Sequence, residues 1–257
     1  MLNRRDVTVV RELAARVAPD LIAAATASGD TLAMQAAQIL STWDYTADST
    51  SVGAALFEAW WNLVINAVSA GTLPADTSDN SYYTHPQFRI PWDHTNPTTT
   101  PVGLANAAAM VPYLHQAAAN LNSMFASAGG MAVPWGTAHH SVLVYRSGPT
   151  QALAGIAADH PQSGADDPFG PLRVTSPFYV GAPYNEYMTS GGDGYVHEIE
   201  FTPQGAQGGS LLTYGNASRP FSPHITDQLS LFDAKALKPA LRTLAAVQAN
   251  TVSVEGY

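Results

Sequence analysis

The hydrophobic pattern of this chain changes period at Trp135, and that change limits the folds open to it. Ahead of Trp135 apolar residues recur at i, i+3, i+4 spacing; from Trp135 onward they fall in short β-prone runs parted by Gly and Pro. Helices first, strands later and helices again at the tail predict an α+β fold. The expected division is a mainly helical region over residues 1–134 and a strand-rich region with C-terminal helices over 135–257, co-folded as one unit. No internal repeat is visible.

In the helical part, Val9, Val10, Leu13, Ala14 and Val17 follow Asp6, an N-cap candidate, and Pro19 is expected to kink or end that helix before Leu21–Ala27. Ser28-Gly29-Asp30 reads as a stop and recap ahead of a helix from Thr31 to Leu40, and Trp43-Asp44-Tyr45 as a connector. A strong helix is expected from Val52 to Ala70. Glu58, Asn62 and Asn66 form its narrow polar stripe, and Leu56, Phe57, Trp60, Trp61, Leu63 and Val64 cover the rest, so it is mostly buried. Gly71–Pro101 reads as a long loop packed by Tyr82, Tyr83, Phe88 and Trp92. Helix returns from Val102 to Ser127, with Pro112 as a kink. The expected strands are Val142–Tyr145, Ala152–Ile156, Leu172–Thr175, Tyr195–Phe201 and Ser210–Tyr214; Thr226–Asp233 and Pro239–Asn250 read as helix. In the fourth strand Tyr195, Ile199 and Phe201 share one parity and Val196, Glu198 and Glu200 the other, which predicts one buried and one wet face.

Composition excludes several functions. A chain of 257 residues with 46% apolar and 12% charged residues is globular and long enough for a sizeable core. A net charge of −9, with no Lys/Arg cluster interleaved with aromatics, argues against nucleic acid as partner. The absence of cysteine removes disulfides, thiolate zinc sites and cysteine nucleophiles together. Met1–Arg16 is charged and amphipathic, unlike a signal peptide, and no run approaches the ~18 apolar residues of a membrane span.

The constellations that could carry chemistry read first as structure. His139-His140 are adjacent and so point apart, and the eight histidines contain no i, i+4 pair. A zinc hydrolase would need His139, His224 and Asp193 or Asp227; the alternative is that one of the paired histidines donates a hydrogen bond in the core. Gly209-Ser210 resembles an autoproteolytic junction, yet cleavage there would free too short a piece, and Ser210 begins an apolar run suited to a strand. No G-x-S-x-G elbow exists, and Gly191-Gly192-Asp193-Gly194 lacks the Lys-Ser/Thr of a P-loop and reads as a turn feeding the strand at Tyr195. Ser222-Pro223-His224 and Asp227-Gln228 read as a capped helix start, with Ser222 or Thr226 as cap and Asp227 favouring the positive end of the dipole.

The stretch Gly215-Asn216-Ala217-Ser218-Arg219-Pro220-Phe221-Ser222-Pro223-His224-Ile225-Thr226-Asp227-Gln228 resembles the C-terminal signature of the penicillin amidase family, which includes the acyl-homoserine-lactone and aculeacin acylases. Further segments resemble the family in its order: Leu40-x-x-Trp43-Asp44-Tyr45 with Ser51-x-Gly53-Ala54-x-Leu56-Phe57-x-x-Trp60, then Trp135-Gly136-x-x-His139, then Gly170-x-x-Arg173-Val174, then Gly192-Asp193-x-Tyr195-Val196-x-x-x-Glu200-Phe201. The resemblance runs from about Leu40 to Thr243, with Asn216 where Gln is usual and Ile225 where an aromatic is usual.

The resemblance implies an N-terminal-nucleophile (Ntn) amide hydrolase. In such enzymes the first residue of the β-subunit, a Ser, attacks the acyl carbonyl with its own α-amino group as base, and a backbone N–H and an Asn side chain hold the oxyanion. Those groups lie upstream of the matched region, and Asn3, Arg4 and Arg5 lack the surroundings to stand for them. The chain is therefore expected to be the rear, scaffold portion of a β-subunit, carrying no catalytic residue and no metal or cofactor site, with substrate-binding residues unassigned and no activity alone. Its expected partners are the upstream nucleophile-bearing part of the β-subunit, an α-subunit and a small acyl-amide substrate, with no nucleic acid and no membrane. The parent would be periplasmic or secreted and cleave N-acyl bonds of acyl-homoserine lactones, lipopeptides or β-lactams, in quorum quenching or antibiotic metabolism. The alternative is a non-catalytic stand-alone relative that binds an acyl ligand or a partner subunit.

Overall fold

A computed structural model describes residues 8–76, 85–147, 152–161, 163–164, 175–180, 186–217, 222–234 and 236–251. The chain groups into two compact units, Asn3–Gly192 and Asp193–Tyr257. The fold is mixed, with helices leading and mostly antiparallel strands following.

The first unit opens with α1 (Thr8–Ala27), α2 (Thr31–Thr42) and α3 (Ala54–Ser69). Pro19 lies inside α1 without ending it, and its expected N-cap, Asp6, lies outside the described residues. Asp30 caps α2 by accepting the Ala33 N–H at 2.9 Å. The same carboxylate lies 2.8 Å from His115 Nδ1 on α4 (Val111–Met124), so one side chain fixes a helix start and an interhelical contact. That backbone bond first, and His115 second, hold the Asp30 carboxyl below the usual range. The core is built from α1–α4: Leu21, Leu40, Leu56, Phe57, Trp60, Leu114 and Leu121 are all buried. On α3 the expected polar stripe is split, because Asn62 and Asn66 are exposed while Glu58 is buried.

The long loop after α3 departs from expectation. Phe88–Ile90 forms β1 and pairs antiparallel with β2, Val102–Leu104, where helix was expected. A 3₁₀ turn, Ala107–Met110, then leads into α4, and Pro112 sits in its first turn, where a missing N–H costs nothing. Tyr82 and Tyr83 fall outside the described residues, and Trp92 is 43% exposed, so among the described aromatics only Phe88 packs inward. Polar ties hold the segment instead. Arg16 donates to the carbonyls of Pro101 and Thr98, each at 2.9 Å. Asp93 accepts from Asn96 Nδ2 at 2.9 Å and from the Thr95 N–H and hydroxyl at 2.8 and 2.7 Å.

After a short helix, α5 (Trp135–Ala138), the unit turns to strands: β3 (His139–Ser147), β4 (Ala152–Pro161), β5 (Thr175–Val180) and β6 (Glu186–Gly192), ordered β4-β3-β6-β5. All neighbours are antiparallel except β3 with β6, which pair parallel through His139↔Tyr187 and His140↔Met188. Gly191 and Gly192 belong to β6, so the glycine run extends a strand as well as turning the chain. Residues 172–174 of the expected third strand lie outside the described residues.

The second unit is a three-stranded sheet, β7 (Tyr195–Thr202), β8 (Gly205–Leu212) and β9 (Lys238–Pro239), with α6 (Leu229–Asp233) and α7 (Leu244–Ala249). The expected inward face of β7 is the outward one: Tyr195, Ile199 and Phe201 are 57%, 55% and 86% exposed. Alternation marks a face suited to burial, but burial needs a second layer, and none of the described residues of the second unit covers this row.

Candidate functional site

Two clusters gather the motif residues. The first surrounds Trp135 and His139. Trp43 donates its indole N–H to Thr46 O and Ser51 Oγ, both at 2.9 Å, which rigidifies the connector ahead of α3. Gly53 follows with φ +111°, and a Cβ there would lie 2.7 Å from Trp43 Cβ, so conformation and space both require glycine. The Trp43 ring packs on Phe57, and Phe57 on Trp60, at centroid distances of 5.3 and 5.4 Å. Trp135 ties into the same connector, its N–H donating to Ser51 O and that of Gly136 to Ser49 O, each at 2.8 Å. A Cβ on Gly136 would lie 2.6 Å from Ser49 Cβ. The indole of Trp135 donates to Gly164 O at 3.0 Å.

His139 lies flat on Trp135, with centroids 3.6 Å apart and planes 11° apart. Its Nδ1 is 3.1 Å from Trp135 O, and its Nε2 is 3.0 Å from Glu58 Oε2. A carbonyl oxygen can only accept, so Nδ1 carries hydrogen. One proton then lies between Nε2 and Oε2, as an imidazolium–carboxylate pair or as a carboxylic acid donating to a neutral ring. Both side chains are nearly inaccessible, at 3% and 7% exposed. His139 is thus the core histidine expected from sequence, and its partner Glu58 was missed. The available signal was a lone carboxylate among the apolar residues of α3, which a wholly solvated stripe would not have placed so close to Phe57 and Trp61.

The second cluster is the C-terminal signature. A Cβ on Gly215 would collide with the His224 carbonyl oxygen, which also accepts the Ala217 N–H at 3.2 Å. Ser222 caps a 3₁₀ turn, Pro223–Ile225, by accepting the His224 N–H at 3.2 Å. His224 Nδ1 lies 2.8 Å from Asp227 Oδ2. Gln228 is buried; its N–H donates to Tyr214 O and its Oε1 accepts the Leu212 N–H, both at 2.9 Å. Burial pushes the Tyr214 phenol up. The signature therefore clasps the end of β8 to the start of α6; residues 218–221 lie outside the described residues.

Ser210 sits inside β8, paired with His197 on one side and Lys238 on the other, a strand-interior position rather than an exposed junction. The histidines of the zinc reading are engaged separately, His139 by Glu58 and His224 by Asp227, and no cluster of three or more His, Asp or Glu suited to a metal ion occurs among the described residues. No described helix is long and apolar enough to cross a membrane.

Comparison with known proteins decides the family, because the sequence profile of the penicillin amidases matches residues 4–249. The chain belongs to the penicillin amidase family. Its family is therefore one of amide hydrolases. The chain is 29% identical over 177 residues to the acyl-homoserine lactone acylase PvdQ of Pseudomonas putida, an alignment covering 66% of this chain and 20% of that acylase. It is also similar to the solved thermostable penicillin G acylase of Alcaligenes faecalis, at 16% identity and a TM-score of 0.40, over 95% of this chain and 46% of the other. The chain thus spans about a fifth of the curated relative and under half of the solved one.

Proposed function

We propose that this chain is a scaffold segment of the β-subunit of a penicillin-amidase-type Ntn hydrolase, one that cleaves N-acyl amide bonds. The observation that carries the reading is the employment of the motif residues. Trp43, Gly53, Trp135, Gly136, His139, Gly215 and Gln228 are each engaged in close packing or internal hydrogen bonding. The indole N–H groups of Trp43 and Trp135 and both ring nitrogens of His139 are held by partners within the chain. A segment of this kind positions a neighbouring catalytic domain; it does not attack a carbonyl.

In the parent enzyme an N-terminal Ser upstream of the matched region is the nucleophile, with its α-amino group as base. An α-subunit completes the assembly, and the enzyme works in the periplasm or outside the cell. Among acyl-homoserine lactones, lipopeptides and β-lactams, similarity to an acyl-homoserine lactone acylase favours the first as substrate. The test has two parts. The reading frame upstream of Met1 is sequenced for about a kilobase, the length of a ~250-residue domain, and the purified chain is assayed on a chromogenic acyl amide. An open frame bearing a Gly-Ser-type junction, with no turnover by the chain alone, is the expected result. A stop codon directly upstream, or turnover that follows substitution of a residue of this chain, refutes the reading.

A further inference from the structure

The exposed large apolar residues of the described chain are not scattered: six of ten, Tyr195, Ile199, Phe201, Leu241, Leu244 and Val247, fall in the second unit. On β7 they form a ridge, because Tyr195, His197, Ile199 and Phe201 alternate onto one face, the first two rings stacked at 5.2 Å. Directly opposite on β8, in register with His197, Ile199 and Phe201, stand Ser210, Gly208 and Ala206. Cross-strand partners share a face, so tall side chains flank a floor of very small ones. Beyond the floor, Ala240 and Arg242 make the far wall; the Ala240 N–H donates to Gly208 O at 2.9 Å, and Arg242 donates to Ala206 O. The result is an open groove of about 390 Å³. A small-residue floor lets an incoming backbone approach closely, and the ridge supplies the apolar area. Apolar surface concentrated in this way marks an interaction face.

Resting on the reading of the chain as part of a larger acylase, we propose that this groove seats an apolar segment of the upstream part of the same β-subunit, which supplies the missing layer over the sheet. The length of the relatives argues for that occupant: about four-fifths of PvdQ lies outside the region this chain matches. A sheet face that no described residue of its own unit covers is the surface such a remainder would need.

The test uses Ile199→Glu with Phe201→Glu, made both in this chain and in the full-length parent read from the upstream frame. In the isolated chain both side chains already face water, so the melting midpoint should be unchanged. In the parent, the yield of assembled, co-purifying subunits should fall about tenfold or more, as when central apolar anchors of an interface are lost. Glu200→Gln, on the opposite face of β7, should leave assembly intact. Normal assembly of the double variant overturns the proposal, as does an equal loss with Glu200→Gln. Unfolding of the isolated variant would show that the row is internal core and overturns it too. An isolated wild-type chain that dimerises, and becomes monomeric on substitution, would assign the groove to a second copy instead. A closed upstream frame defeats the scaffold reading first and removes the occupant with it, whereas assembly that ignores the groove defeats only the docking.

Discussion

Replacing His139 by Ala separates a structural pair from an incidental contact. The side chain does three things at once: it stacks on Trp135, donates from Nδ1 to Trp135 O, and shares a proton with Glu58 at 3.0 Å. Removing it leaves a carboxyl that is 7% exposed without its partner. Breaking a buried pair from one side costs about 3–5 kcal/mol, and the lost stack lies within that range. Glu58→Gln should behave differently. The amide can donate to Nε2 of a neutral imidazole whose Nδ1 still bonds Trp135 O, so the loss should be about 1 kcal/mol. Joint replacement, Glu58→Leu with His139→Phe, removes both polar groups and should recover most of the loss, since apolar substitutes of similar volume often match a buried pair.

Urea unfolding followed by tryptophan fluorescence suits the question, because the five tryptophans, at 43, 60, 61, 92 and 135, all lie in the first compact unit. With a slope of ~2–3 kcal/mol/M, the His139→Ala midpoint should fall by about 1–2.5 M at unchanged slope. A loss under ~1 kcal/mol for His139→Ala, or an equal loss for Glu58→Gln, would refute the account of the pair.

Gly136→Ala places a Cβ 2.6 Å from Ser49 Cβ and 2.9 Å from Ser49 O, and should cost about 1–3 kcal/mol by overpacking, read in the same urea titration. Gln228→Leu removes the acceptor of the Leu212 N–H and should cost about 1–3 kcal/mol, with faster amide exchange at Leu212 as its local signature. Asn96 first, and then Thr95, hold the Asp93 carboxyl down to about 2. A depressed carboxylate stabilises above its unfolded value of ~3.9 and loses that contribution as pH falls through the folded one. Asp93→Asn should therefore loosen the loop at pH 5 by hydrogen exchange and differ little from wild type below pH ~2.

The helical half was legible because its signals are local. The 3.6-residue period over α1–α3 and the Asp30 cap need nothing from the rest of the chain. Of the two outcomes expected of Pro19, a kink or an end, the end does not occur, because a long helix can carry the lost bond when its apolar face is fully packed, as Ala14, Val17, Ala18 and Leu21 are. Strand β2 was read as helix because Val102-Gly103-Leu104 adjoins a genuine helical run, and only its distant partner Phe88–Ile90 reveals it. Strand β6 was missed for a different reason: Glu186–Gly192 holds a single β-branched residue and ends in two glycines, so its β signal is weak although its hairpin partner β5 lies just before it and only β3 is distant. Glu58 and His139, which are 81 positions apart, meet only once α3 and β3 are placed.

A motif strong enough to identify a family need contain no chemistry. Gly53, Gly136 and Gly215 each stand where a Cβ would strike Trp43, Ser49 or the His224 carbonyl, and close packing tolerates no substitute there. Trp43 and Trp135 each hand an indole N–H to a backbone carbonyl, which fixes the ring as well as burying it. Such positions are restricted by space and by hydrogen-bond geometry, not by a substrate. If the parent acylase is assembled as proposed, Gly136→Ala should lower the amount of folded enzyme while leaving the KM of the molecules that do fold unchanged. A changed KM at constant fold would instead place the Trp135 cluster in contact with the substrate site, and the scaffold reading would fail there.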